Sequence, residues 1–401
     1  MLKTIKKSFL VSIFSISTLY GTSNVEISNS GTGDFLIAPL YIASGDICSR
    51  IKVMNTNDSS SILAKVTIRE GIASHEVDLP IFLSPGDVWE GNICQVENKV
   101  ILTSTDDSNH PSTKDILKNG IDLMAHSSTT SYRESDYNKG NVELNGKLFQ
   151  LNEIQKTNLN FTRGYVEIYP IAQFNEGSKR KVNKNILVER WDRLIEGEKN
   201  NPKLRQNGVD ESSLSGLISF NTADQETSTI KMTAFKNVHN TQIIGEAINY
   251  TSDSDANILL SKDSKIQILK LLQKKTLSFT YDNSGINQYI YISFPFSHKE
   301  KQSRRYKLII RDMNENKYIM VFSPKFIMHN ELALISVEEL IAITHNKIKY
   351  KKGMIQIKDI INNDPAQLGK NQNGSMIPII ARISKIGGKD LMINGEYIPV
   401  K

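Results

Sequence analysis

Apolar and polar positions change over within short runs along most of the chain, and turn-forming Asn, Asp, Gly and Ser bound those runs. Residues 35–41, 50–55, 63–69, 99–103, 147–151 and 165–169 are such runs, each rich in β-branched, aromatic or other apolar side chains. Residues 216–220, 229–235, 288–294, 306–311 and 317–322 continue the style. The clearest alternation, Ala64-Lys65-Val66-Thr67-Ile68-Arg69, predicts a strand with one face on a core and the other in water. Many short strands at modest spacing favour sandwiches over a parallel α/β sheet. The predicted fold class is mostly β: two immunoglobulin-like antiparallel β-sandwich domains with a few short helices.

Three segments carry helical signals. Residues 112–119 follow Pro111 and stop at Gly120, and 185–198 place Ile186, Leu187, Leu194 and Ile195 at helical spacing. Residues 336–346 open with Ser336 and Glu339, a capping-box pair. An ungapped repeat suggests two related domains: Asn55-Thr56 and Lys65-Val66-Thr67 match Asn221-Thr222 and Lys231-Met232-Thr233, 166 residues later. The expected organisation is a signal peptide at 1–23 and a first sandwich at 24–175 with a polar surface excursion at 106–141. A helix and linker at 176–213 and a second sandwich at 214–401 follow.

The first 23 residues read as an export signal. Lys3, Lys6 and Lys7 precede an uncharged, mostly apolar stretch at 8–20, and Gly21-Thr22-Ser23 supplies small residues for cleavage. That stretch falls short of the roughly 20 residues a bilayer span needs, so no membrane span is expected after cleavage. The three leader lysines account for half of the formal net charge of +6. The remaining basic clusters at 179–184, 299–307 and 347–352 are local, so nucleic acid is not an expected partner. An exported chain meets oxidising conditions, which predicts a disulfide between Cys48 and Cys94. Two buried thiols are the alternative, which spacing alone does not separate.

Residues 34–89 resemble a largely uncharacterised family of secreted, β-rich Gram-negative bacterial proteins. The shared features are an acidic residue before a Pro-Tyr strand (Asp34 to Pro39 and Tyr41), an Asn-Thr turn (Asn55-Thr56) and a Val-x-x-Arg-Glu strand (Val66 to Arg69 and Glu70). Ser74-x-Glu76-Val77 and the intact turn Leu83-Ser84-Pro85-Gly86-Asp87-Val88-Trp89 complete the pattern. Weaker matches are Arg163-Gly164-Tyr165-Val166-Glu167 and Tyr291-Ile292-Ser293-Phe294-Pro295. The resemblance implies an exported sandwich protein of the periplasm or outer cell surface and brings no catalytic residues. Physically the motif reads as scaffold, with Asn55, Arg69, Glu70, Pro85, Asp87 and Trp89 as its structural residues. Arg69 and Glu70, adjacent on a strand, point to opposite faces.

The search for chemistry finds little. None of the seven histidines has metal-site spacing, and no nucleophile elbow, Walker loop or complete dinucleotide loop is present. No cofactor is expected, with calcium at Asp106-Asp107 or at 253–255 the one cation left open. The leading expectation is a non-catalytic exported protein, structural or adhesive, that meets an envelope protein or surface polymer through loops or a sheet edge. The alternatives are a carbohydrate-binding protein using Tyr289 and Tyr291, which share a strand face, and a secreted enzyme of unknown class.

Overall fold

The alternating runs become strands, and the turn residues between them set where each strand changes sheet. The computed structural model describes residues 24–71, 76–125, 141–144, 147–150, 161–177, 182–196, 213–221, 226–238, 260–272, 276–282, 287–293, 304–322, 332–336, 352–362, 377–386 and 389–397. Antiparallel strands dominate, joined among the described residues by three short helices: α1 (Pro111–Asn119), α2 (Lys184–Glu196) and α3 (Lys262–Leu271). None of these helices is long and apolar enough to cross a membrane.

Strands are numbered in chain order. The first sheet runs β1 (Glu26–Ile27), β15 (Thr233–Lys236), β3 (Phe35–Ile42), β12 (Arg163–Asn175), β5 (Ser60–Glu70), β6 (Glu76–Leu83). The second runs β14 (Glu226–Lys231), β13 (Leu214–Asn221), β4 (Cys48–Asn55), β7 (Val88–Val96), β8 (Lys99–Thr103), β9 (Ile121–Asp122), with β2 (Thr32–Gly33) beside β13. The third is β16 (Thr276–Asp282), β21 (Lys352–Asn362), β18 (Arg304–Asp312), β19 (Lys317–Phe322). The fourth is β20 (Leu332–Ser336), β17 (Asn287–Ser293), β22 (Ile377–Ile386), β23 (Lys389–Tyr397), and β10 (Asn141–Leu144) pairs with β11 (Lys147–Gln150).

The first and second sheets share one core. Leu36, Val66, Ile68, Val166 and Ile168 from the first meet Ile51, Val53, Trp89, Ile93, Ile218 and Phe220 from the second. Each fully buried aliphatic side chain contributes roughly 1.5–3 kcal/mol, so this layer is the main favourable term. The opposite face of the first sheet is also covered. Phe35, Ile37, Leu63, Phe82 and Tyr169 pack there with Leu187 of α2 and Ile268 of α3. The Phe35 ring lies 4.9 Å from Tyr169 and 5.8 Å from Phe235. With both faces covered, β5 is buried along its whole length. The water-facing side expected from its alternation is therefore interior, and Lys65, Thr67 and Arg69 are sunk into the protein.

Eight strands of the second half repeat eight of the first. In chain order β3, β4, β5, β6, β7, β12, β13, β14 correspond to β16, β17, β18, β19, β20, β21, β22, β23. The neighbours agree throughout: β3-β12-β5-β6 matches β16-β21-β18-β19, and β14-β13-β4-β7 matches β23-β22-β17-β20. This repeat is not the one the sequence suggested. The Asn55 and Asn221 copies belong to neighbouring strands of one sheet, because β4 pairs with β13 along its length. Moreover, β4 and β5 lie in different sheets, whereas β13 and β14 form a hairpin.

The expected start of a second domain at 214 falls inside the first assembly, since β13, β14 and β15 complete its sheets. The run expected at 229–235 divides at Met232, where the chain crosses from the second sheet to the first. Part of the expected excursion at 106–141 is integral as well. Ser108, Asn109, Leu117, Ile121 and Leu123 are buried, and Asn109 bridges Ile81 of the edge strand β6. Helix α3, capped by Ser261 Oγ accepting from the Ser264 N–H at 3.1 Å, was not foreseen. Ser336 ends β20, and the rest of the helix expected at 336–346 lies outside the described residues, as does the leader at 1–23. An immunoglobulin-like connectivity is not identified.

Candidate functional site

The densest set of charged groups lies on the helix-covered face of the first sheet. Period-two alternation and antiparallel register align three strands there. Tyr165 opposes Arg69, which opposes Glu76; Glu167 opposes Thr67, which opposes Asp78; Tyr169 opposes Lys65. Every one of these side chains is buried. Arg69 donates from Nε to Glu167 Oε2 at 2.7 Å and lies 2.6 Å from Glu76 Oε2 through Nη2. The Tyr169 hydroxyl donates to the same Glu167 oxygen at 2.6 Å. Lys65 Nζ pairs with Asp78 Oδ2 at 2.8 Å, while Thr67 Oγ1 donates to Asp78 Oδ1 at 2.6 Å. Desolvating five charges is costly, and mutual pairing at these distances offsets that cost. Among the described residues Glu167 Oε1 and the Tyr165 hydroxyl are buried without a hydrogen-bond partner.

On the opposite, inter-sheet face, Glu70 lies near Tyr41. Burial and then the Glu70 carboxylate push the Tyr41 phenol well above its ordinary value. Gly164 separates the two in register, and a Cβ there would lie 1.8 Å from the Arg69 carbonyl oxygen and 2.7 Å from Tyr41 Cε1. The second half builds the same constellation. Gly353 stands between Tyr281 and Asp312, and its Cβ would meet the Arg311 carbonyl oxygen at 2.1 Å and Tyr281 Cε1 at 2.7 Å. Burial, then Asp312 and Tyr318, raise the Tyr281 phenol to about 12. A local signal for this repeat is present in the sequence. Val66-Thr67-Ile68-Arg69-Glu70 parallels Leu308-Ile309-Ile310-Arg311-Asp312, and Gly164-Tyr165-Val166-Glu167-Ile168 parallels Gly353-Met354-Ile355-Gln356-Ile357.

The remaining motif residues form a staple at one end of the first sandwich. Asn55 Nδ2 donates to the carbonyls of Ser60 at 2.7 Å and Ser84 at 2.9 Å, and its Oδ1 accepts from the Asn57 N–H at 3.0 Å. The turn at buried Pro85 and at Gly86, whose φ is 72°, is tied to it by Gly86 N–H to Asn57 O at 3.0 Å. Trp89, fully buried, donates from Nε1 to Asn109 Oδ1 at 2.7 Å. Asp87 pairs with Lys184 of α2, which also donates to Phe82 O at 2.7 Å and Ser108 Oγ at 2.9 Å. A serine beside a lysine is a possible nucleophile and base. Here all three ammonium protons are engaged, and buried Ser108 donates to Asp87 Oδ2 at 3.1 Å, so the cluster clamps α2 to the turn. Asp106, half-buried, has its carboxyl raised by desolvation against hydrogen bonds from Ser108 and the Glu90 N–H, with Asp87 raising it further.

Cys48 and Cys94 form a disulfide between β4 and β7, with Cα atoms 4.5 Å apart. Tyr289 and Tyr291 lie on β17 between β20 and β22, opposite Ala381 and Ile379. Their side chains, and the calcium candidate at 253–255, lie outside the described residues. Among the described residues no group of three His, Cys, Asp or Glu side chains is placed to hold a metal ion. Arg69 and Glu70 stand among the motif residues expected from the sequence; Lys65, Glu76 and Glu167 lie in the noted strands without a role assigned there, and Asp78, Lys184 and Arg311 carry no local mark of theirs. No protein family, curated protein or solved structure matches this chain.

Proposed function

We propose that this is a non-catalytic exported protein of the cell envelope or surface that binds a macromolecular partner, an envelope protein or surface polymer, through its second half. The finer architecture of the proposal is two tandem immunoglobulin-like sandwiches, one for each set of eight strands. The observation that carries the reading is the contrast between corresponding faces. In the first half the charged face is interior, and most of its polar groups are spent on one another. The matching face of the second half carries exposed Ser278, Thr280, Lys317 and Ile319. A duplicated scaffold that is closed in one copy and open in the other suits binding better than catalysis. The export-like leader and the disulfide favour an oxidising compartment.

Protease shaving of intact cells carrying an epitope-tagged copy tests the location, with a periplasmic protein as control. Loss of the tag while the control survives is expected for a surface protein. Protection until the outer membrane is opened places it in the periplasm, and retention in the cytoplasm overturns the reading.

A further inference from the structure

Arg69 and Arg311 hold the same position in the two eight-strand sets, yet their surroundings differ in charge. Around Arg69 the neighbouring strands present Glu76 and Glu167. Register puts Lys317 where Glu76 stands and Gln356 where Glu167 stands, with Ile319 in the place of Asp78 and Ile309 in that of Thr67. Arg311 has thus lost both carboxylates. Among the described residues its Nε has no hydrogen-bond partner, and neither Arg311 nor Lys317 has an acidic one. Four residues along β18 from Arg311, Lys307 opposes Lys358, adding two lysines to the register.

The face is basic, and its β16 and β19 margins are open, while Ile309 at its centre is buried and Arg311 half-buried. Lys317, Ser278 and Thr280 are exposed, Ile319 is 57% exposed, and Met313 beyond the end of β18 is 66% exposed. We infer that the β16-β21-β18-β19 face is the docking site for an acidic segment of a partner protein. The segment presents a carboxylate to Arg311 and Lys317, in place of the ones Arg69 receives from its own chain, and an apolar side chain to Ile319. Charge complementarity commits the site to an anionic occupant, since two cations without an acidic partner among the described residues, on a partly apolar surface, attract carboxylates. The exposed apolar pair Ile319 and Met313, with no aromatic ring among the described side chains of this face, favours a peptide over a saccharide, which stacks on rings. The inference rests on the partner-binding reading above, but it is tested on purified protein, so it fails separately from the question of location.

The experiment measures binding of a labelled extended decapeptide of alternating Glu and Thr with one central Leu to the purified exported chain, by fluorescence anisotropy across a salt series. Polygalacturonate and vesicles containing phosphatidylglycerol serve as competing probes. The peptide is expected to bind in a salt-sensitive manner. Lys317→Glu, at an exposed position that the fold tolerates, is expected to weaken it about tenfold. Lys317→Glu with Gln356→Glu is expected to abolish binding while raising thermal stability, because it restores to Arg311 the partners that Arg69 has. A matched charge change elsewhere, Lys114→Glu with Lys118→Glu on α1, is expected to leave affinity unchanged. Equal loss in the α1 variant, no peptide binding, or preference for the polysaccharide or the vesicles overturns the inference.

Discussion

Gly164 and Gly353 occupy one place in the two halves, each under a tyrosine ring from the adjacent strand and against the carbonyl of an arginine on the other side. An added methyl would meet backbone at 1.8 Å in one case and 2.1 Å in the other, closer than any side-chain adjustment relieves. Three strands would have to separate to admit it. We expect Gly164→Ala and Gly353→Ala each to destabilise by about 3 kcal/mol, the upper range for overpacking, as read by denaturant unfolding. Unchanged midpoints for both would show that the close approach does not constrain the sheets.

The Lys65, Thr67, Arg69 face makes a second prediction. Removing one member of a buried ion pair leaves the other uncompensated, at a cost of about 3–5 kcal/mol, whereas replacing both by apolar groups is often neutral. Lys65→Met alone is therefore expected to be strongly destabilising. Lys65→Met with Asp78→Leu should recover most of the loss, less the part owed to Thr67, whose hydroxyl then has no acceptor. A double-mutant cycle by chemical denaturation reads the coupling. Additive losses would mean that the pair at 2.8 Å contributes nothing.

Strand identity was legible where alternation and turn chemistry agreed. The 99–103 and 317–322 runs match β8 and β19 residue for residue, and α1 and α2 lie within two residues of their predicted ends. What escaped was which face meets water. Lys65 and Arg69 read as solvent-facing because a sequence shows charge but not the carboxylates brought opposite it from β6 and β12, the latter nearly a hundred residues away. The repeat was misread for a similar reason. Asn-Thr recurs as general turn chemistry, at 55, 221 and 240, whereas Ile-Arg-acid stands only at 68–70 and 310–312, each beside a strand whose glycine lies under a tyrosine ring. The Asp87 element was legible as a turn, but its clamp, Lys184, comes from a helix with no local mark of that role.

The disulfide joins neighbouring strands already held by a ladder that starts one residue away, at Ser49 opposite Ile93. Its stabilisation should come mainly from the unfolded chain, where it closes a loop of 46 residues, about 4 kcal/mol by the chain-entropy relation. We expect Cys48→Ser with Cys94→Ser to keep the native circular dichroism while lowering the unfolding free energy by about that amount. Loss of the folded spectrum would instead make the bond a condition for forming the β4–β7 pair.

Tyr41 and Tyr281 predict the alkaline behaviour. Both phenols are raised in the folded protein, Tyr41 by burial and Glu70, Tyr281 to about 12 by burial and Asp312. Unfolded tyrosine ionises near pH 10, so above that pH the unfolded chain binds fewer protons than the native one and stability falls as pH rises. For Tyr281 the contribution is fully present below about pH 10 and is lost as pH rises to about 12; Tyr41, raised by burial and Glu70, acts in the same direction. Tyr41→Phe and Tyr281→Phe together should flatten the decline in unfolding free energy between pH 9 and 11. Near neutral pH the two substitutions separate. Among the described residues the buried Tyr41 hydroxyl has no hydrogen-bond partner, and an unmade bond of that kind costs about 1–3 kcal/mol, so Tyr41→Phe should be neutral or stabilising. A destabilised Tyr41→Phe at pH 7 would show that the hydroxyl is bonded in solution, and an unchanged alkaline slope would show that neither phenol governs it.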